Sequence, residues 1–291
     1  MSNAKEIRGQ IKNIKNTQKI TRAMEMVAAS KIRRVQDQMR VGRPYAESIL
    51  RVIAHLVKAS TAKQHLFLTG YEKEAIEKVG YILISTDRGL CGGLNINLFK
   101  TFLQHVRDQK AQGRKVVASV FGRKGVSFLS QANIPIISAV ENYPEAPEIQ
   151  DLIGAVHPMI EAFERGEIQQ IYIAGNTFIN AMAQKPTIER LLPANIAHGD
   201  GKTASHSWDY VYDSSPDELL ERLMKRYLES IVRQAMLENI ASEMSARMIA
   251  MKNASDNAGS LINELQLKYN KARQAAITQE LTEIVAGADA V

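Results

Sequence analysis

The sequence is short of the residues around which secreted domains and metalloenzymes are usually built. It holds a single cysteine, Cys91, in 291 residues. An internal disulfide is therefore impossible and no thiolate cluster exists to bind zinc, which fits a reducing compartment. Aromatic residues amount to 6% with one Trp, so a core must lean on aliphatic and Met side chains, a composition suited to helix packed on helix. No stretch approaches the roughly 18 consecutive apolar residues of a membrane span. Nothing near the start has the apolar core and small-residue cleavage site of a secretory signal. A cytosolic chain is expected, with any membrane association indirect, through partners. HExxH, GxSxG and paired-Cys spacings are missing, and the six His share no motif. No catalytic constellation, cofactor or metal site is expected.

What is present is an uneven charge. Residues 1–58 carry 13 Lys/Arg against 4 Asp/Glu, whereas residues 216–291 carry 9 against 11, so the net +6 originates in the first segment. Such a block suits nucleic acid, an anionic membrane surface or an acidic protein collar. Lys12, Lys15, Lys19, Arg22, Arg33 and Arg34 are not interleaved with aromatics before Tyr45, which argues against single-strand stacking and leaves duplex backbone binding merely permitted.

Ala4 to about Ala59 is rich in Lys, Arg, Gln, Ala, Met and Ile and reads as helix, with an irregularity expected near Gly42 and Pro44. At about 100° per residue, Ile7, Ile11, Ile14, Ile32 and Met39 share one stripe, while Ile20, Met24 and Val27 face nearly the opposite way. Two stripes predict two partners.

From Lys78 to Asp213 the pattern changes. VGYILIST (79–86), KVVASVFG (115–122), IPIISAV (134–140) and IQQIYIAGN (168–176) read as buried strands, with helices expected over 95–112, 123–132 and 148–165. This is the βαβ rhythm of a Rossmann-like parallel-sheet domain. Further strands are expected at 187–192 and 208–212, separated by a polar loop, HGDGKTASHS (198–207).

Pro216 to about Ala286 is interrupted only by Gly259, after the start signal Ser214, Ser215, Pro216, Asp217, Glu218. Some 70 residues of helix would span about 105 Å. A 3.5-residue repeat runs through Leu220, Leu223, Tyr227, Ser230, Gln234, Leu237, Ala241, Met244, Met248, Met251, Ser255, Ala258, Ile262, Leu265, Tyr269, Ala272 and Ala276, predicting a left-handed coiled coil. A domain about 30 Å across cannot cover so long a seam, so the other terminal helix is expected to. The fold class is thus α/β inserted between two long terminal helices that form an antiparallel coiled coil. Segment limits fall at 1–59, 60–215 and 216–291, and the tip LTEIVAGADAV (281–291) projects alone.

The sharpest local cluster, STDRGLCGGLN (85–95), is a strand end, a glycine-rich turn and a helix start. It could face phosphate, yet it lacks the terminal Lys-Ser/Thr of a P-loop, and Gly89, Gly92 and Gly93 do not fit G-x-G-x-x-G. Cys91 beside Asp87 and Arg88 has no nearby His, so a small residue packed in a tight turn is the better reading than a nucleophile.

IRGQIKNIKNTQKITRAMEMVAASKIRR (7–34), STDRGLCGGLNINLF (85–99) and ASDNAGSLINELQLKYNKARQAAITQELTEIVAGA (254–288) resemble the three signature stretches of the gamma subunits of bacterial F-type ATP synthases. The resemblance implies a non-catalytic rotor of the central stalk, coupling proton flow to ATP synthesis or hydrolysis by rotation. Its implied partners are the alpha and beta subunits of a hexamer, the epsilon subunit and the c-subunit ring, at the cytoplasmic face of the bacterial inner membrane. It further implies that Met24, Arg247 and Gln274 face the beta subunits, that the turn holding Asp87, Arg88 and Cys91 lies near acidic loops of beta, and that Leu281, Ile284 and Val285 belong to a bearing tip. The rival readings are a structural coiled-coil tether, a basic nucleic-acid-binding protein and a small-molecule enzyme built on the α/β domain.

Overall fold

The four apolar runs become β1 (Lys78–Ile84), β2 (Lys115–Phe121), β3 (Ile136–Val140) and β4 (Gln170–Phe178) in the computed structural model, which describes residues 2–59, 65–72, 76–194 and 216–288. The helices between them are α3 (Leu94–Ala111), α4 (Arg123–Gln131) and α5 (Ile149–Glu164); α1 is Ser2–Ala59, and α2 is the short Leu66–Thr69. β5 (Gln184–Leu192) completes a sheet of order β3-β2-β1-β4-β5, and α6 covers Pro216–Ala288. The strand expected at 208–212 and the loop at 198–207 lie outside the described residues.

Four strands are parallel and the fifth is antiparallel to β4. The reason is chain length. Only Ile179–Ala183 join β4 to β5, and a parallel return needs a crossover of a dozen or more residues. The side chain of Asn180 accepts the N–H groups of Met182 and Ala183 at 2.8 and 2.9 Å and closes that turn. Pro186 is tolerated because β5 is an edge strand.

Successive residues of a strand point to opposite faces, and β1 shows it cleanly. Val79, Tyr81 and Leu83 pack with Leu98, Phe102 and Val106 of α3 and Leu129 of α4. Ile82 and Ile84 face the other way, into a cluster with Val156, Met159 and Phe163 of α5, Ile53 of α1 and Leu228 and Val232 of α6. A capping box of Glu148 and Asp151 starts α5.

The chain divides into two compact units, Met1–Ser30 with Arg247–Val291, and Lys31–Ala246. Helix α1 continues through Gly42 and Pro44 without a break. The α/β unit corrects the sequence reading of α6. Its part of this helix is a core element: of the 3.5-residue repeat Leu220, Ser230, Leu237, Ala241 and Met244 are buried while Leu223, Tyr227 and Gln234 are half-buried, and Met224, Leu228, Val232, Met236 and Ile240, which the repeat had not named, are buried as well. The expectation that the α/β domain leaves the seam to a partner helix fails here, because sheet, α5 and α1 contribute to one cluster with α6.

Leu228→Ala should cost about 2–5 kcal/mol, whereas Leu267→Ala, at an exposed position, should stay within about 0.5 kcal/mol. Denaturant unfolding of both variants decides it, and equal losses would contradict the burial described. On the α3 side, the Tyr81 hydroxyl lies 2.7 Å from His105 Nδ1. Burial pulls the His105 pKa below 6.5, against the opposing pull of the Asp108 carboxylate. The unfolded chain then takes up the proton first, so this contribution to stability is complete above pH 6.5 and declines as pH falls below it. His105→Gln should flatten the stability profile on that acidic side; an unaltered slope would show that His105 is not its source.

Candidate coupling surfaces

In the α/β unit the glycine-rich turn begins where β1 ends. Ser85 is fully buried. Its hydroxyl donates to the Phe121 carbonyl and accepts the Gly125 N–H, both at 2.8 Å. Glycine at 122 and 125 makes this possible: a Cβ on Gly122 would lie 2.6 Å from the Ser85 carbonyl oxygen, and one on Gly125 2.7 Å from the Ser85 hydroxyl.

Asp87 Oδ1 accepts the Arg123 N–H at 3.0 Å, giving α4 the side-chain partner that its N-cap, Gly122, cannot supply. Thr86 donates to the Arg88 carbonyl at 2.7 Å and accepts from Asn95 Nδ2 at 2.7 Å. The same Asn95 nitrogen stands 3.5 Å from the Cys91 sulfur, which is buried. Between these ties Leu90 sits at φ 65° with 60% of its surface exposed. A left-handed conformation costs a residue with a Cβ about 1–2 kcal/mol, and the bonds on either side hold it there. Asp87 and Cys91 therefore work inside the turn, while Arg88 and Leu90 form what it presents to solvent.

The helical unit is built on a different pattern. From α1, Ile11, Thr21 and Ala28 are buried; from α6, Met251, Ser255, Ala258 and Leu265 are, with Ile262, Tyr269, Ala272 and Ala276 half-buried. These α6 positions are those of the 3.5-residue repeat. Gln18 Nε2 donates to the Ser255 carbonyl at 3.2 Å, and a Cβ on Gly259 would meet the same nitrogen at 3.1 Å. Arg8 and Lys15 share a groove with Gln266 and Tyr269. Rising numbers on α1 thus meet falling numbers on α6, and the pair is antiparallel.

Arg8, Lys12, Lys15 and Lys19 line that groove, whose volume is ≈ 790 Å³. The second α1 stripe is solvent-facing at Ile20 and Val27, with Met24 half-buried. Arg247 is buried and Gln274 exposed. Past Ala276 every described side chain to Ala286 is exposed, including Leu281 at 57%, Ile284 at 67% and Val285 at 59%.

A family model described as ATP synthase matches residues 3–291. The ATP synthase gamma chain of Dichelobacter nodosus is 68% identical over 291 residues, 100% of each chain, and that of Glaesserella parasuis 53% over the same span. The chain belongs to the ATP synthase gamma chain family. Two solved assemblies of the Euglena gracilis mitochondrial ATP synthase contain chains of the same fold. One, from the OSCP/F1/c-ring in rotational state 3, has TM-score 0.69 at 20% identity and covers 99% of this chain and 94% of its own. The other, from the rotor in rotational state 1, has TM-score 0.66 at 21% and covers 95% and 99%.

Within this gamma chain fold, sequence reasoning found the turn but not its wiring. The spacing of Gly122 and Gly125 behind a strand was the available signal for a buried group nearby. The polar residues Asn176 on β4 and Asn239 on α6, both buried, were missed because an isolated Asn in an apolar strand or helix carries no periodicity.

Gly122→Ala should destabilise the chain more than Gly113→Ala. Both glycines have positive φ, but a Cβ at 113 meets nothing within 4 Å whereas at 122 it meets backbone. Thermal unfolding compares them, and an equal loss would mean that φ alone, and not the Ser85 contact, requires glycine.

Proposed function

We propose that this chain is the central-stalk rotor of an ATP synthase, turning within a hexamer of alpha and beta subunits and bearing on epsilon and the c-subunit ring. The end-to-end identity with bacterial gamma chains carries the reading. The chemistry belongs to the hexamer, and this subunit transmits conformational bias. Rotation changes which face of an asymmetric shaft each neighbour meets, and only differential contact shifts an equilibrium. Among the described residues no helix is long and apolar enough to cross a membrane; attachment to the cytoplasmic face of the inner membrane runs through the c ring.

The helical unit supports the reading in three ways. Its seam of Ser255, Ala258, Ala272 and Ala276 allows close approach without deep interlocking. The exposed Leu281, Ile284 and Val285 suit an apolar sleeve. Exposed Lys12, Lys15, Lys19 and Arg22 attract acidic loops while remaining free to slide past them. Met24, Arg247 and Gln274 are assigned to surfaces that meet beta, and Asp87, Arg88 and Cys91 to the turn near its acidic loops, with Arg88 as the charge it offers.

Pull-down of the tagged chain from membranes should recover subunits near 50 kDa in threefold excess over it; a self-associated dimer without them would support a tether instead. Replacing Lys12, Lys15 and Lys19 together by Gln should change the protons pumped per ATP hydrolysed by the assembled complex and weaken the salt dependence of that ratio. Identical behaviour at every ionic strength would remove the electrostatic part of the proposal.

A further inference from the structure

Among the described residues of the α/β unit, four large apolar side chains are more than half exposed: Leu90 at 60%, Ile96 at 70%, Ile179 at 58% and Met182 at 79%. All four lie at one end of the sheet. Leu90 and Ile96 follow the carboxyl end of β1, in the glycine-rich turn and the first turn of α3, and Ile179 and Met182 lie between β4 and β5. β1 and β4 are parallel neighbours, with Leu83 opposite Ala174, so the two turns leave the sheet side by side. Single exposed apolar residues are ordinary; a set gathered at one end marks a surface that another molecule covers.

Like the glycine-rich turn, the β4–β5 hairpin is braced from within. Besides the two N–H groups that Asn180 accepts, Gln184 Nε2 donates to the Ala181 carbonyl at 3.2 Å, and the Thr177 and Thr187 hydroxyls meet at 2.8 Å behind the tip. Phe178 stands four residues beyond Ala174, so the tip rises about 13 Å above the level of Leu83. At the base of both turns lies α6: Asn239 directs Nδ2 to the Ser85 carbonyl at 3.5 Å, and Ser242 donates to the Asn176 carbonyl at 3.4 Å. The charge these turns offer is positive. Arg88, Lys124 and Lys185 are exposed; Lys185 is opposite Thr177, and a Cβ on Gly89 would lie 3.9 Å from Lys124 Cε. Asp87 is engaged with the Arg123 N–H, and Glu141 with the Arg123 guanidinium at 3.5 Å.

We propose that the β4–β5 hairpin, through Ile179 and Met182, is a second point of contact between this subunit and the hexamer, and that its occupant is a protein segment combining carboxylates with apolar side chains. The proposal rests on the rotor reading, which assigned only the glycine-rich turn to that interface. Exposed Lys185 and Arg88 select an acidic occupant, and the four apolar residues need apolar cover. Three cations fall short of the roughly four to eight that mark a lipid-binding cluster, and two braced tips do not make the continuous apolar face of a membrane-surface helix. A protein fits this end better than a bilayer. Two points of contact resist tilting, which one cannot.

The test places the photoreactive residue p-benzoylphenylalanine at Met182, at Leu90 or at Arg107, an exposed position on α3, and irradiates the assembled membrane-bound complex. The probe in place of Met182 should crosslink to a hexamer subunit, with ATP hydrolysis lost in proportion to the product, and the probe in place of Arg107 should not. Lys185→Glu with Lys124→Glu should lower the yield at 182 several-fold; an unchanged yield would overturn the acidic nature of the occupant. Any result without a hexamer crosslink at 182 overturns the proposal, including capture of lipid, of a second copy of this chain or of another rotor subunit. The rotor reading survives that result when hexamer subunits still co-purify with the chain, and fails when they do not.

Discussion

Backbone hydrogen bonds do not by themselves hold 73 residues of helix in water; a long helix persists where its apolar face is covered. Every other feature of this chain follows from how α6 meets that requirement. Up to Ala246 it lies in a mixed core with the sheet, α5 and α1, and the environment buries most of its circumference. Beyond Arg247 a single antiparallel neighbour covers a narrow seam. After Ala276 the described side chains are all exposed. One helix thus passes through three solvation regimes, and its sequence changes accordingly, from Leu and Met, to Ser and Ala, to scattered aliphatics among charges.

Ser85 has a comparable place in the α/β unit. Its hydroxyl joins β1 to the end of β2 and the start of α4, and its carbonyl receives Tyr143 and Asn239. The atoms that a nucleotide-binding fold would leave open at the head of β1 are here spent on internal ties. This accounts physically for a glycine-rich turn without a phosphate-binding fingerprint: the glycines at 122 and 125 admit a serine, and the turn itself is braced to hold Arg88 and Leu90 outward.

On the rotor reading the contrast between the two units has a purpose. A lever must be fixed where load enters it, so tight packing and a directional amide contact suit the α/β unit. A shaft that slides inside a collar needs the opposite, small side chains and diffuse charge, which is what the helical unit has in Ala258, Ala272, Lys12 and Lys19.

The sequence alone determined the strands β1 to β4, the helices between them, the extent of α1 and α6 and the seam from Met251 to Ala276, because each is written locally, in a short apolar run or in a periodicity of 3.5 or 3.6 residues. The turn at 85–95 was legible as a site for the same reason, its glycines being local in effect. Only tertiary structure decided which face of α6 is buried near Leu228, the direction of β5, the capping of α4 by Asp87 and the pairing of Asn176 with Asn239. Those depend on groups far apart in the chain, such as residues 85 and 239, whose meeting is set by how sheet and helices pack; a buried amide in an apolar stretch becomes meaningful only when its partner is beside it.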